Sequence, residues 1–176
     1  RLEARVHLVT AASTAINNLI SCVEELGISV DGLVFQPIAS ALAALENDEM
    51  DLGVTLVELG SNTTNIAVYH GSALRHSATI PIGSASITND IAVMLQITKK
   101  EAENIKINYA SALSSMSSNQ LEIQYHPNRE LKEKTISEKE VSQYVEARMQ
   151  EILQMIIREI SRADIKDPLT YGIVMT

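Results

Sequence analysis

The sequence contains few aromatic residues and almost no cysteine. Its 176 residues include no Trp, one Phe and one Cys, and aromatic residues make up only 3% of the total. An aromatic platform on which nucleic-acid bases could stack is therefore not expected. A single cysteine cannot form a disulfide within the chain, and the apolar, helical surroundings of Cys22 predict a buried structural thiol.

Positive charge and long apolar runs are also lacking. Lys and Arg number 14 against 22 Asp and Glu, which gives a formal net charge of -8 at pH 7. Nucleic-acid affinity depends on clustered cations, so no nucleic-acid partner is predicted. No apolar run reaches the roughly 18 residues that a membrane span needs. Charges interrupt the N-terminal segment "RLEARVHLVT", which is therefore not predicted to be a signal peptide.

The histidines give no sign of a metal site. None of them has a neighbour at metal-ligand spacing, so we expect all four to be structural or exposed. These residues are His7, His70, His76 and His126.

The first fifty residues alternate between strand-like and helix-like segments. Residues 6–9 form a short β-type run, and "STAINNLISCVEELG" then places apolar residues on one helical face that ends at Gly27. The segment "VDGLVF" predicts a buried strand, and the Ala-rich segment after Pro37 predicts a compact helix. This order indicates an α/β architecture.

The rest of the chain predicts a sheet with a helix-rich insert. Three successive strands are expected over residues 52–83, with a hairpin corner at Gly71 and Ser72. Capping boxes at Thr98 and Ser137 predict helices that begin near residues 99 and 138. A final strand over residues 172–175 should return to the earlier sheet. The run ends without a turn, so we expect the sequence to be part of a longer chain.

The corner "GSNTTN" carries the most specific chemistry. A phosphate-binding loop needs glycine for close approach of the backbone and hydroxyl groups that can donate. Residues 60–65 offer one glycine, three hydroxyls and amide side chains, and Asn62 tolerates the left-handed region and could replace a glycine. An ordinary hairpin turn explains the same letters, and the corner taken alone favours that interpretation over a phosphate-binding loop.

Four stretches together resemble the actin-like ATPase superfamily, and most closely the FtsA family of bacterial cell-division proteins. They are "FQPIASALAAL", "LGVTLVELGSNTTNIAVYHGSALRHSATIPIGSASITNDIA", "EAENIKINYASAL" and "YGIVMT". The resemblance implies a partial actin-like (ribonuclease H-like) α/β fold with an inserted α+β subdomain. It implies that residues 1–50 form the end of domain 1A and a connecting helix. Residues 51–83 and 168–176 would then form the nucleotide-binding domain 2A, and residues 84–167 the domain 2B insert.

The resemblance also implies roles for individual residues. Gln36 holds the place of a residue that orients the attacking water or its metal. Glu103 and Lys106 hold the places of residues that contact the ribose and adenine of ATP, which the family binds with Mg²⁺. The second phosphate loop of the family is matched by Glu58, Gly60, Ser61, Asn62, Thr63 and Asn65.

The phosphate loop departs from the usual pattern of the family. Ser61 and Asn62 replace two glycines, Glu58 replaces a shorter Asp, and Asn65 replaces an acid that could hold a metal-bound water. The whole protein is therefore expected to be at most a weak ATPase, and the fragment alone is not expected to be active. A degenerate, non-hydrolysing scaffold and another actin-like ATPase of the pilus-assembly or chaperone type remain alternatives.

The family also implies partners. Its members polymerise head to tail and tether FtsZ filaments to the inner face of the cytoplasmic membrane at the division septum, through a C-terminal helix absent from this sequence. The helix that carries Arg148 and Glu151 corresponds to the one that receives the C-terminal tail of FtsZ. An ordinary i,i+3 salt bridge on a solvated helix explains the same pair. Asp90 is interpreted as a helix-start residue.

Overall fold

The structure of the chain is a computed structural model that describes residues 2–3, 6, 8–128, 132–163, 165 and 168–176. The α-helices are α1 (Ser13–Glu24), α2 (Gln36–Ala44), α3 (Asn47–Leu52), α4 (Ser84–Leu95), α5 (Lys99–Tyr109) and α6 (Glu138–Arg162). A short 3-10 helix covers Ser114–Met116. The strands are β1 (Val54–Leu59), β2 (Thr64–His70), β3 (Ala73–Ile80), β4 (Glu122–Tyr125), β5 (Lys134–Ser137) and β6 (Ile173–Met175).

Four of the strands form one mixed sheet in the order β3-β2-β1-β6. The β2–β3 hairpin turns at Gly71 and Ser72, which both have positive φ, at 61° and 55°. Two successive residues in that region make the tight turn that matches the twist of a hairpin. Strand β6 pairs in parallel with β1, with Thr55 opposite Ile173. The predicted return of the C-terminal strand to the first sheet is confirmed.

The sheet is covered on both faces. Side chains alternate along β1, so Val54 and Leu56 face one side while Val57 faces the other. The first side packs against Ala41 of α2, and the second packs against Ile152 of α6. Two apolar clusters, one on each face of the sheet, therefore hold β1 in place ahead of the corner that follows it.

A second core lies beside the sheet and is built by α4, α5, β4, β5 and the N-terminal half of α6. Ser137 and Glu140 form the predicted capping box that starts α6. Val141 and Val145 of this helix enter the second core, whereas Ile152 and Ile156 enter the sheet core. The 25-residue helix α6 therefore connects the two bodies.

The N-terminal segment differs from the prediction. The described residues of the run 6–9 are not in a strand, and the segment 30–35 is not in a strand either. A strand needs a neighbouring strand to accept and donate its backbone hydrogen bonds. The part of the chain that the structure describes places none beside these segments. His7 lies outside the described residues.

Helix α1 forms as predicted but contains no buried residue. Its apolar side chains remain largely open, including Leu19. Cys22 is exposed, so the prediction of a buried thiol was wrong. The apolar periodicity identified the helix correctly, but nothing in the described residues covers its apolar face. Among the described helices, none is long and apolar enough to cross a membrane.

Candidate functional site

The corner between β1 and β2 exposes backbone donors. The N–H of Gly60 donates to the carbonyl oxygen of Thr63 at 3.0 Å and closes the turn. The next three N–H groups, of Ser61, Asn62 and Thr63, have no acceptor in the described ranges. All three residues are exposed. Consecutive free N–H groups at a tight corner suit an anion such as phosphate.

The corner is formed without a left-handed residue at Asn62. Among the described non-glycine residues, only Ser72 and Gln96 have positive φ. The expectation that Asn62 would use its tolerance for the left-handed region in place of a glycine was therefore wrong. Gly60 has a steric role, because a Cβ there would lie 2.9 Å from the carbonyl oxygen of Thr63.

Helix α4 begins against the corner. The N–H groups of Ser84 and Ala85 donate to the carbonyl oxygens of Gly60 and Ser61 at 2.9 and 2.8 Å. These bonds satisfy two of the free donors at the helix start. A Cβ on Gly83 would lie 2.4 Å from the carbonyl oxygen of Gly60. The close contact between corner and helix therefore depends on Gly83.

Glu58 lies at the end of β1, beside α2. Its Oε1 accepts from the amide of Gln36 at 3.4 Å and from the hydroxyl of Ser40. Its Oε2 is buried and has no hydrogen-bond partner in the described part of the chain. A buried carboxylate oxygen without a partner carries a desolvation cost unless a ligand or water supplies one. Glu58 therefore presents one unused acceptor near the corner.

Lys106 and Glu103 lie on the other side of the corner, on α5. The Lys106 ammonium contacts Glu103 Oε2 and Thr88 Oγ1, each at 2.8 Å, and the carbonyl oxygen of Ser84 at 3.4 Å. Thr88 also donates to Glu103. Hydrogen bonds from Lys106 and then Thr88 lower the pKa of Glu103 below its usual value. The carboxylate of Glu103 therefore stays ionised to a lower pH than an isolated glutamate.

The corner is the common neighbour of the predicted site residues. Glu58 links it to Gln36, and Ser84 links it to Lys106. Sequence reasoning missed Ser40 and Thr88, which bind Glu58 and Lys106. Ser40 lies four residues after Gln36, so the helical period alone places both side chains on the same face of α2.

Arg148 and Glu151 lie elsewhere, in a groove between α4 and α6. The groove has a volume of about 490 Å³ and is lined by Asn89, Asp90, Val93, Met94, Tyr144, Ala147, Arg148 and Glu151. Arg148 holds Asp90 through two bonds, from Nε at 2.5 Å and from Nη2 at 2.9 Å, and its Nη1 donates to Glu151. The hydrogen bond to Asp90 raises the pKa of Arg148.

Asp90 is not the helix-start residue that the sequence suggested. It lies in the middle of α4, where its carboxylate reaches across to α6. The interpretation was wrong because local sequence cannot show a partner 58 positions away.

The described histidines have ordinary contacts. His76 Nε2 lies 3.2 Å from Glu159 Oε1 and joins β3 to α6. His126 donates its backbone N–H to Glu101 at 3.5 Å. No group of three or more His, Cys, Asp or Glu side chains that could hold a metal ion occurs in the part of the chain described.

Comparison with known proteins gives one consistent family. The model of the family described as "Cell division protein FtsA" matches residues 55–172. The chain is 38% identical to the cell division protein FtsA of Pseudomonas aeruginosa over 176 residues, which is all of this chain and 42% of that protein. It is 34% identical to that of Bacillus subtilis, again over the full chain and 40% of the relative. The chain therefore spans about two fifths of the length of these relatives.

Solved structures share the fold. MreB 5 of Spiroplasma citri bound to AMPPNP superposes with a TM-score of 0.73 at 18% identity, covering 94% of this chain and 54% of that one. A MamK double helical filament gives a TM-score of 0.63 at 16% identity, covering 94% and 52%. The PilM–PilN complex of type IV pilus biogenesis gives 0.65 at 16% identity, covering 92% and 40%. The predicted partial actin-like α/β fold is confirmed.

Proposed function

We propose that this chain supplies part of an actin-like protein that binds ATP, forms filaments and anchors FtsZ to the cytoplasmic membrane. The basis of the proposal is that the chain belongs to the FtsA family of cell division proteins. The observation that carries the nucleotide part is the convergence of Glu58, the corner 60–63 and Lys106 around the end of β1. A nucleotide bound at this corner would contact all three.

The free N–H groups of Ser61, Asn62 and Thr63 would hold the phosphates of ATP. Glu103 and Lys106 would hold the ribose and adenine, and Lys106 would exchange some of its present contacts for the nucleotide. The same kind of ligand is present in the MreB 5 structure bound to AMPPNP, which shares the fold.

The unused oxygen of Glu58 and the amide of Gln36 fit a hydrated Mg²⁺. When bound with ATP, the ion neutralises phosphate charge. Glu58 would hold the hydrated ion through its Oε2. The amide of Gln36 is oriented by the hydrogen bond that it donates to Oε1 of Glu58. Ser40 fixes the carboxylate from the same helix.

The altered loop favours weak hydrolysis by the whole protein. Ser61 and Asn62 add Cβ atoms where phosphate would approach. The side-chain oxygen of Asn65 accepts from Thr79 Oγ1 at 2.8 Å, which uses one of its two lone pairs, and the neutral amide lacks the charge of an Asp that could hold a metal-bound water. If the loop holds no phosphate at all, the protein is a scaffold that does not hydrolyse ATP.

The two cores support the division into domains that the family implies. Residues 51–83 and 168–176 would form domain 2A around the sheet. Residues 84–167 would form domain 2B, which encloses the second core and reaches the sheet core through Ile152 and Ile156 of α6. Residues 1–50 would belong to domain 1A and a connecting helix.

The groove between α4 and α6 would receive the C-terminal tail of FtsZ. Its apolar walls, with Val93 66% and Met94 54% exposed, suit apolar anchors, and Arg148 suits a carboxylate. Filament formation is supported by the fold shared with a MamK double helical filament. Tethering to the inner face of the membrane would use a segment outside this chain.

The nucleotide proposal is tested by titrating the whole protein that contains this chain with a fluorescent ATP analogue and Mg²⁺. We expect weak, saturable binding, loss of binding in Glu58→Ala, and tighter binding when Ser61→Gly and Asn62→Gly are combined. Ser72→Gly is the matched control, because Ser72 already has positive φ in a distant turn. If neither the wild type nor the glycine variant shows saturable binding at millimolar nucleotide, the nucleotide proposal is wrong and the protein is a scaffold that does not hydrolyse ATP.

A further inference from the structure

Arg148 is already engaged inside its own chain. A guanidinium group has five N–H bonds. Two of the five point to Asp90 and one points to Glu151. One N–H on Nη1 and one on Nη2 therefore remain for a partner in the groove.

The two carboxylates hold Arg148 unequally. Asp90 uses both oxygens in a bidentate contact, and its side chain is 27% exposed. Glu151 makes one contact, through Nη1, and its side chain is 55% exposed. Bidentate, partly buried pairs are stronger than exposed i,i+3 pairs on a helix, which contribute little. Glu151 is the partner that releases Arg148 more easily.

The charge at this end of the groove does not favour a third carboxylate. Asp90 and Glu151 already outnumber the single positive charge of Arg148. An incoming acid would increase the excess of negative charge around one guanidinium while its own carboxylate lost water, which is unfavourable. Two N–H groups of Arg148 are unused, but the charge balance favours binding of an acidic segment in which one of the resident carboxylates leaves.

We propose that Glu151 is an internal competitor for Arg148, displaced when a segment bearing an apolar residue and a carboxylate docks between α4 and α6. The proposal rests on the docking of a peptide segment in this groove. The incoming carboxylate takes the place of Glu151 on Nη1, and Asp90 keeps the guanidinium oriented. Apolar contact with Val93 and Met94 supplies the free energy that a simple exchange of carboxylates lacks.

This arrangement makes the groove selective. A purely acidic segment gains almost nothing, because it only replaces one carboxylate by another. A purely apolar segment leaves Glu151 in place and uses the walls alone. Only a segment with both features, at a spacing that matches Met94 and Arg148, both displaces Glu151 and covers the apolar wall.

The test is a calorimetric titration of the whole protein that contains this chain with an FtsZ C-terminal-tail peptide, and with the same peptide after its carboxylates are replaced by amides. Glu151→Gln is expected to tighten binding of the acidic peptide about 1.5- to twofold, because the weak competing pair is lost. Its effect on the amide peptide should be negligible. Glu122→Gln, on the exposed face of β4, removes the same charge far from the groove and is the matched control.

A second readout follows Arg148 directly. The chemical shift of the Arg148 Nε–H should stay near its value in the peptide-free protein when the acidic peptide binds, because Asp90 keeps that hydrogen bond. If Glu151→Gln leaves the affinity for the acidic peptide unchanged or weaker, the inference is wrong although the groove is the docking site. If neither the wild-type chain nor Glu151→Gln binds the peptide, the docking proposal fails and the inference fails with it.

Discussion

Gly83 lies so close to Gly60 that a Cβ on Gly83 would be 2.4 Å from the Gly60 carbonyl oxygen. The φ of Gly83 is -158°, an extended value that any residue adopts, so the requirement is for space and not for backbone conformation. The start of α4 can therefore lie against the candidate phosphate corner only because Gly83 has no side chain.

We expect Gly83→Ala to push α4 away from the corner. The clash is with backbone atoms, which cannot move aside cheaply, so the free energy of unfolding should fall by about 1–3 kcal/mol. Urea denaturation measures the change. Gly32→Ala is the matched control, since a Cβ at Gly32 meets nothing within 4 Å and should change the stability little. Equal stability of the two variants would contradict the steric argument.

The acid dependence of stability should include a contribution from Glu103. Lys106 lowers the pKa of Glu103 in the folded chain. A carboxyl whose pKa is lowered by folding stabilises the protein above its unfolded pKa, about 4.3, and this stabilisation is lost as the pH falls through the folded value.

The matching variant is Glu103→Gln. The difference in free energy of unfolding between the wild type and this variant should favour the wild type at pH 7. It should shrink as the pH falls below the unfolded pKa, about 4.3, and then through the lower pKa of the folded carboxyl. Urea titrations at several pH values measure it. A difference that is independent of pH would show that the effect of the substitution is not electrostatic.

Asp90 and Glu151 should contribute very differently to stability. Asp90→Ala removes a bidentate contact between two helices and leaves Arg148 partly unpaired, at a cost of about 1–2 kcal/mol. Glu151→Ala removes an exposed pair within one helix and should cost only about 0.3 kcal/mol. A double-mutant cycle between Asp90 and Arg148 measures the coupling directly. A coupling energy near zero would contradict the assigned contact.

Ser142 should anchor the serine-rich segment that precedes β4. It is fully buried, and its hydroxyl accepts from the N–H of Ser111 at 3.0 Å and contacts Ser117 at 2.7 Å. Ser142→Ala leaves a buried N–H without its partner, so we expect a loss of about 1–3 kcal/mol and faster proteolysis of the segment. Ser161→Ala, at an exposed position of the same helix, should behave like the wild type. Equal proteolysis rates would contradict this role.

The sequence predicts the helices and strands correctly where the local residue pattern agrees with the pattern of burial. The apolar stripe and capping box of α6, the turn at Gly71 and the strand pattern around Val57 all specify their elements locally. Helix α4 was not recognised as a separate element, because Ser, Thr, Asn and Asp in its first half are weak helix formers. Burial of Ile91 against the second core stabilises the helix, and that contact is invisible in a local reading.

The candidate site was readable only as a set of separate motifs. The resemblance to the family identified Glu58 and Lys106, but the sequence contains no information on their distance from one another. The contacts of Ser84 with the corner and with Lys106 show that Lys106 lies beside the corner that follows Glu58. Asp90 was misread for the same reason, since its partner Arg148 lies on another helix and only packing of α4 against α6 brings them together.

The parallel pairing of β1 with β6 determines when the sheet can be finished during synthesis. Thr55 of β1 meets Ile173, which the ribosome adds more than one hundred residues later. At a translation rate of about 5–20 residues per second, the backbone donors and acceptors on that edge of β1 remain without their partner for about 6–24 seconds. During that interval the nascent chain exposes a strand edge open to intermolecular pairing, so a holdase chaperone that shields this edge should raise the yield of correctly folded protein.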